Sequence, residues 1–281
     1  MRRAVLAALL LAALLLSGCG GEAPAAAVPS PSASSLSPEP TPVPEPSPSP
    51  VPEPSFAPAP EPSPSPEPPP DLSPLPDSWF EDAAFFGDSL TVSLEKYCLS
   101  TGDFGDALFL GEYSYSMEDA LGGGRPIWYE NKPLQLQDAA AACGAKKLFL
   151  MLGNNDLAYY GGVDELMERW EELVSRLREQ QPDAVLFLES ALPVFFGAER
   201  EGWNNALMDE YNQRLRSFCD AHEGCVFVDL APALKDENNC LDPSLCSDMF
   251  CHLTPEGLGI WVRGLKDPAN YSVDPRSIDD E

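Results

Sequence analysis

Basic residues are scarce in this chain: 17 Lys and Arg face 45 Asp and Glu among 281 residues, a formal charge of −28. That shortage argues against a nucleic-acid binder and against docking on anionic lipid through a basic patch. Histidine is scarcer still, so any imidazole chemistry must use His222 or His252. No Cys-x-x-Cys spacing occurs, and with so few histidines a structural zinc site has no obvious ligand set. The N-terminal apolar run, Ala4 to Leu16, is too short to span a bilayer comfortably. Lys and Arg are absent between Glu22 and Asp77, and 22 of the 31 prolines lie between Pro24 and Pro76. Proline at that density removes backbone donors and fixes φ, which excludes a packed core there.

The same N-terminal stretch reads as a signal. Met1-Arg2-Arg3 precedes the apolar run, and small residues follow it, as in a secretory leader. Leu16-Ser17-Gly18-Cys19 resembles a bacterial lipobox, which implies a leader over residues 1–18, cleavage before Cys19 and lipidation of its sulfur. Several acyl chains on one residue anchor a protein firmly. Residues 19–77 then read as a disordered, acidic spacer with polyproline II character, whose ~50 residues at ~3.1 Å each reach ~160 Å at most. These features predict an extracytoplasmic protein, tethered to the bacterial cell membrane through lipid alone, with no nucleic-acid partner.

The folding part is expected over residues 78–281, about 200 residues, enough for one domain with a sizeable core. Without two leader arginines and eight upstream acidic residues it keeps 15 basic and 37 acidic side chains, a charge of −22. Of eight cysteines, Cys19 is assigned to the anchor. Cys219/Cys225 and Cys240/Cys246 are each spaced to close a short loop, while Cys98, Cys143 and Cys251 sit among apolar residues and read as thiols. Asp236-Glu237-Asn238-Asn239 with Asp242 lacks EF-hand spacing and reads as a solvated loop.

Five short apolar runs predict strands covered on both faces: Ala83–Phe86 ending at Gly87, Ala107–Leu110, Lys147–Leu152, Ala184–Leu188 and Cys225–Val228. Between them helical patterns cover Leu90–Cys98, Met117–Leu121, Leu134–Ala142, Val163–Arg178 and Trp203–Ala221, with a last helix over Pro255–Leu265 capped by Thr254. Alternation of this kind predicts a mostly parallel five-stranded sheet with helices on both faces. Ligands in such sheets bind beyond the C-terminal ends of the strands.

Three polar blocks fall at those ends. Gly87-Asp88-Ser89-Leu90-Thr91 follows the first strand, and a Ser on a strand-to-helix turn exposes its hydroxyl beside a helix N-terminus that stabilises an oxyanion. Gly153-Asn154-Asn155-Asp156 follows the third, where an Asn amide can donate. Asp248…His252-Leu253-Thr254 precedes the last helix; one turn of helix would bring carboxylate and imidazole together, and a carboxylate fixes the tautomer of a general base. His222, at a helix end before Gly224, reads as a structural histidine.

Taken together, these blocks resemble the SGNH, or GDSL-type, hydrolases in order and position over nearly the whole domain. The resemblance implies a three-layer αβα, flavodoxin-like fold and an esterase or acyl hydrolase that needs no metal or cofactor. Carried over, Ser89 is the nucleophile, His252 the general base and Asp248 its orienting acid. Asn155 and the N–H groups of Ser89 and Gly111 are the oxyanion donors. The family usually spaces its acid and base as D-x-x-H. Here three residues intervene, so either the turn is one residue wider or another carboxylate, such as Asp242, orients His252. At the second block Tyr113 or Ser114 could replace Gly111. Trp128, Tyr129, Tyr159, Tyr160, Phe195, Phe196 and Trp203 are candidates for a sugar- or acyl-binding rim. The function implied is a surface-anchored serine esterase acting on a small-molecule or glycan ester, acetyl among the acyl groups. A non-catalytic binding module of the same fold and an O-acyltransferase are the alternatives.

Overall fold

The computed structural model describes residues 72–157 and 162–278, within the compact unit Pro66–Glu281. The leader, Cys19, most of the Pro-rich segment, Tyr159 and Tyr160 lie outside those residues. The sheet strands are β1 (Ala83–Gly87), β2 (Leu108–Gly111), β5 (Lys147–Met151), β6 (Val185–Glu189) and β7 (Cys225–Val228). They run parallel throughout, in the order β2-β1-β5-β6-β7. The helices are α1 (Ser89–Thr101), α2 (Met117–Ala120), α3 (Leu136–Cys143), α4 (Val163–Gln180), α5 (Asn205–Ala221) and α6 (Pro255–Lys266).

Side-chain alternation along the strands divides the core in two. Ala84, Phe86, Leu148, Leu150, Leu186 and Leu188 point to the side covered by α3, α4 and α5, where Trp170 and Leu173 are buried. Phe85, Phe149 and Phe187 point to the other side, under α1 and α6. In-register pairing sets these rings in a row. Phe85 stacks on Phe149 at 4.5 Å, Phe149 on Phe187 at 4.5 Å and Phe85 on Phe109 at 4.8 Å. Such offset aromatic pairs add to the stability gained from area burial alone.

Leu75 is buried, its N–H donates to the Lys266 carbonyl at 2.7 Å, and Asp77 pairs with Lys266 at 2.8 Å, so packing includes a few residues ahead of Ser78. Two local expectations are corrected. A small antiparallel hairpin, β3 (Ile127–Tyr129) and β4 (Lys132–Leu134), precedes α3 and takes Leu134, the expected first residue of the helix, which begins instead at Leu136. Its turn residues Glu130 and Asn131 both take positive φ, 48° and 63°, the conformation of a tight two-residue hairpin without its usual glycine. Finally, all seven cysteines among the described residues are thiols, so neither short-loop disulfide is formed.

Candidate active site

The turn after β1 is fixed by steric fit. A side chain at Gly87 would place its Cβ 2.2 Å from Thr91 Oγ1 and 2.8 Å from the Met151 carbonyl, so the strand can enter the helix here only through glycine. Asp88 is the N-cap of α1 and accepts the Leu90 N–H at 2.8 Å. Ser89 is therefore the first helical residue. Its N–H is one of the helix's orphan donors and has no partner among the described residues.

The turn after β5 is held from behind. Gly153 takes φ +115°, and a Cβ there would meet the Tyr211 ring at 2.7 Å. The Tyr211 hydroxyl donates to the Leu152 carbonyl at 2.8 Å, and buried Trp203 donates from Nε1 to the Asn154 carbonyl at 2.7 Å. Asp156 accepts the N–H of Gly153 at 3.2 Å and of distant Met117 at 2.7 Å. Asn155 Nδ2 donates to Asp88 Oδ2 at 2.8 Å and to the Tyr115 carbonyl at 3.1 Å. Both amide hydrogens of Asn155 are thus engaged in this geometry.

The loop before α6 delivers the imidazole. His252 Nε2 lies 2.9 Å from Ser89 Oγ, and Nδ1 lies 2.6 Å from Asp248 Oδ2. The segment is not the helical turn expected from sequence. Cys246 and Leu253 pair as an isolated antiparallel bridge, and the chain between them folds around Asp248. Asp248 Oδ1 accepts the N–H of Phe250, Cys251 and His252 at 2.8, 3.1 and 3.2 Å, leaving Oδ2 for the ring. Met249 takes φ +57°, and this left-handed residue accommodates the third residue between Asp248 and His252. Asp242 is used elsewhere, accepting the N–H and hydroxyl of Ser244 at 2.8 and 2.7 Å. His222 is remote, bonded to the Phe218 carbonyl and to Glu171.

Gly111 and Ser114 take different places. Gly111 stays in β2 opposite Gly87, where a Cβ would come within 3.1 Å of the Val92 N and Cγ2, so its smallness serves the packing of β2 on α1. Ser114, at φ +54°, lines a cleft of about 460 Å³ together with Ser116, Glu118, Asp119, Arg125, Asn155 and Asp156.

The GDSL-like lipase/acylhydrolase family model matches residues 85–258. The chain belongs to this family. Solved structures share the family's fold with it. A GDSL-like lipase from Bacteroides thetaiotaomicron superposes with TM-score 0.50 at 18% identity over 71% of this chain and 89% of that one. A carbohydrate esterase family 3 protein from Talaromyces cellulolyticus gives TM-score 0.50 at 13% identity over 71% and 98%. No curated protein matches the sequence.

Within this GDSL-like domain the acidic groups differ sharply. Burial pushes Asp88 up to about 6, against the opposing Leu90 N–H and the nearby His252. Burial likewise pushes Asp156 up to about 7. Partial burial alone would raise Asp248, but the His252 ring and the surrounding N–H groups outweigh it and hold the carboxyl below its ordinary value. The sequence reading missed Asp88 as the partner of Asn155, Asp156 as the tie between two turns, and Trp203 as the support of Asn154. Each acts through a contact tens of residues away, for which a single sequence carries no signal. Of the aromatic rim candidates, Trp203 is buried, stacked on Phe250 at 4.5 Å, whereas Trp128 and Phe196 are exposed.

Proposed function

We propose that the protein is a serine-dependent carboxylic-ester hydrolase, held outside the cytoplasm by lipid on Cys19, with a hydrophilic ester such as an O-acetylated glycan as substrate. The observation that carries the reading is the continuous line Ser89 Oγ–His252 Nε2, His252 Nδ1–Asp248 Oδ2, at 2.9 and 2.6 Å. Asp248 keeps the proton on Nδ1, which leaves Nε2 free to accept one. As Ser89 Oγ attacks the ester carbonyl, its proton passes to Nε2, and the same nitrogen returns it to the departing alkoxide. Water then attacks the acyl-serine as Nε2 takes its proton, and the intermediate collapses by breaking the acyl–Oγ bond while that proton passes to Ser89 Oγ, releasing the acid and restoring the free serine.

The developing oxyanion is met by the Ser89 N–H at the start of α1, with the Ser114 N–H in the place first given to Gly111. Asn155 joins them by exchanging its longer bond, to the Tyr115 carbonyl, for the oxyanion. A hydrophilic substrate is favoured by the cleft beside Asn155, whose walls carry hydroxyls, carboxylates and one guanidinium. An acyltransferase would use the same residues with a sugar hydroxyl in place of water.

A fluorophosphonate probe should label Ser89, and p-nitrophenyl acetate should be hydrolysed. Ser89→Ala should abolish both, and His252→Ala should cost several orders of magnitude in turnover while His222→Ala is nearly neutral. Labelling that persists in Ser89→Ala, or a crippling His222→Ala, rejects the assignment; a non-catalytic module would show no labelling at all. For the anchor, Cys19→Ala should move the protein out of the membrane fraction of a bacterial host, and retention there would reject lipidation at Cys19.

A further inference from the structure

We propose that Arg125 is a positioning residue for the oxyanion site. With Asp119 it clamps the Ser114 backbone in its left-handed conformation and so presents the Ser114 N–H to the cleft that Asn155 also lines. The inference rests on the esterase reading above.

Ser114 is a non-glycine residue at φ +54°, a conformation that persists only where the surroundings impose it. Its own hydroxyl makes no hydrogen bond among the described residues, so the restraint comes from outside. Arg125 Nη1 donates to the Ser114 carbonyl at 2.9 Å and to Asp119 Oδ2 at 3.1 Å. Asp119 is in turn fixed, accepting the Ser116 N–H and hydroxyl at 3.1 and 2.9 Å and the Arg125 N–H at 2.6 Å. Ser116 and Asp119 form a reciprocal capping box on α2, so the anchor belongs to the fold rather than to a mobile side chain.

Two glycines help bring Arg125 into place. Gly122 takes φ +98°, and at Gly124 a Cβ would lie 2.0 Å from Oδ1 of Asp119, which is buried and held by its hydrogen bonds. These positions let the backbone pass close over Asp119 and turn Arg125 back toward Ser114. The Ser114 N–H itself has no partner among the described residues. Because the Arg125 side chain is 53% exposed, its ion pair contributes little to folding, and its worth lies in where it holds the Ser114 peptide.

The test is steady-state hydrolysis of p-nitrophenyl acetate by the full chain and four variants: Arg125→Ala, Arg125→Lys, Ser114→Gly, and the double variant Ser114→Gly/Arg125→Ala. Arg125→Ala should lower kcat ten- to a hundredfold with KM within about twofold, approaching the loss of one oxyanion donor, while the denaturation midpoint barely moves. Arg125→Lys, which cannot reach both acceptors in fixed geometry, should lose a similar factor and serves the same purpose if Arg125→Ala does not fold. Glycine adopts positive φ without strain, so Ser114→Gly added to Arg125→Ala should recover at least about fivefold in kcat. An arginine that merely stabilised the fold would not be rescued in this way. Arginine variants within twofold of wild type, a loss confined to KM, or a double variant no better than Arg125→Ala would each overturn the clamp and leave the esterase reading standing. A wild type that neither turns over the ester nor reacts with the phosphonate would overturn that reading and the clamp with it.

Discussion

The turn that carries Ser89 and the loop that carries His252 meet within a hydrogen bond of each other, yet they are built on opposite principles. Around Ser89 the restraint is volume. Gly87 has no room for a methyl group, Asp88 is buried beneath the turn, and the strand behind it is fully covered. Around His252 the restraint is polar. A single carboxylate satisfies three consecutive N–H groups and one ring nitrogen, in a loop where His252 and Asp248 side chains are 34% and 37% exposed. On the proposed esterase reading, a site assembled in this way places its attacking atom through the core and its proton acceptor through electrostatics. Damage to the two halves should therefore read out differently.

The largest expected effect is on the polar half. Asp248→Asn keeps an oxygen for the Phe250, Cys251 and His252 N–H groups but presents an amide to His252 Nδ1. The ring is then held in the wrong tautomer, with Nε2 protonated and unable to take the Ser89 proton. Turnover should fall by roughly 10²–10⁴, with a stability change under about 1 kcal/mol. The steric half should respond the other way. Gly87→Ala forces a methyl group against Thr91 and the Met151 carbonyl, and should cost about 1–3 kcal/mol of stability together with activity, since Ser89 moves with the turn. Chemical denaturation alongside esterase kinetics separates the cases. Equal destabilisation by the two substitutions would break the comparison.

The carboxylates sharpen it. Asp88, Asp156 and Glu189 are pushed up by burial to about 6, 7 and 8, whereas the unfolded chain ionises near 3.8 for Asp and 4.5 for Glu. Between about pH 4 and 8 the folded state therefore binds more protons than the unfolded one, and stability should fall as pH rises. Asp248, held below its ordinary value, acts oppositely: its contribution is present above the unfolded value and is lost as pH falls through the folded one. Glu189→Gln still offers an oxygen to Trp261 Nε1, which now lies 3.0 Å from Glu189. It should narrow the stability difference between pH 5 and pH 8 by about 1 kcal/mol or more. An unchanged difference would mean that Glu189 does not titrate in this range.

The same division explains what could be read in advance. The five strands were legible because strands buried on both faces need continuous apolar runs, and the Ser89 block because it sits at the end of such a run. His252 was legible by scarcity and by its position before α6. The wrap of the chain around Asp248 was not, because a helical turn and a left-handed residue at Met249 satisfy the same spacing. The place of Ser114 was hidden for a related reason. Its conformation is one that glycine usually marks, and here it is imposed by Arg125, eleven residues on, through Asp119. The Asp88–Asn155 bond joins residues 67 apart in sequence and follows only from the pairing of β1 with β5.

The smallest expected effect tests whether strain in the polar loop is needed at all. Met249 is 73% exposed and sits at φ +57°, so its side chain gains little from burial while its backbone bears the cost of the left-handed region. Glycine removes that cost but adds freedom to the unfolded chain, and the two terms oppose each other. Met249→Gly should therefore change stability by no more than about 0.5 kcal/mol. Its kcat on p-nitrophenyl acetate should stay within a factor of two, because the three N–H bonds to Asp248 Oδ1 hold the loop without help from the side chain. A tenfold loss of kcat with the midpoint unmoved would show that the left-handed residue itself aims His252. The polar half would then depend on a backbone constraint as strict as the one at Gly87.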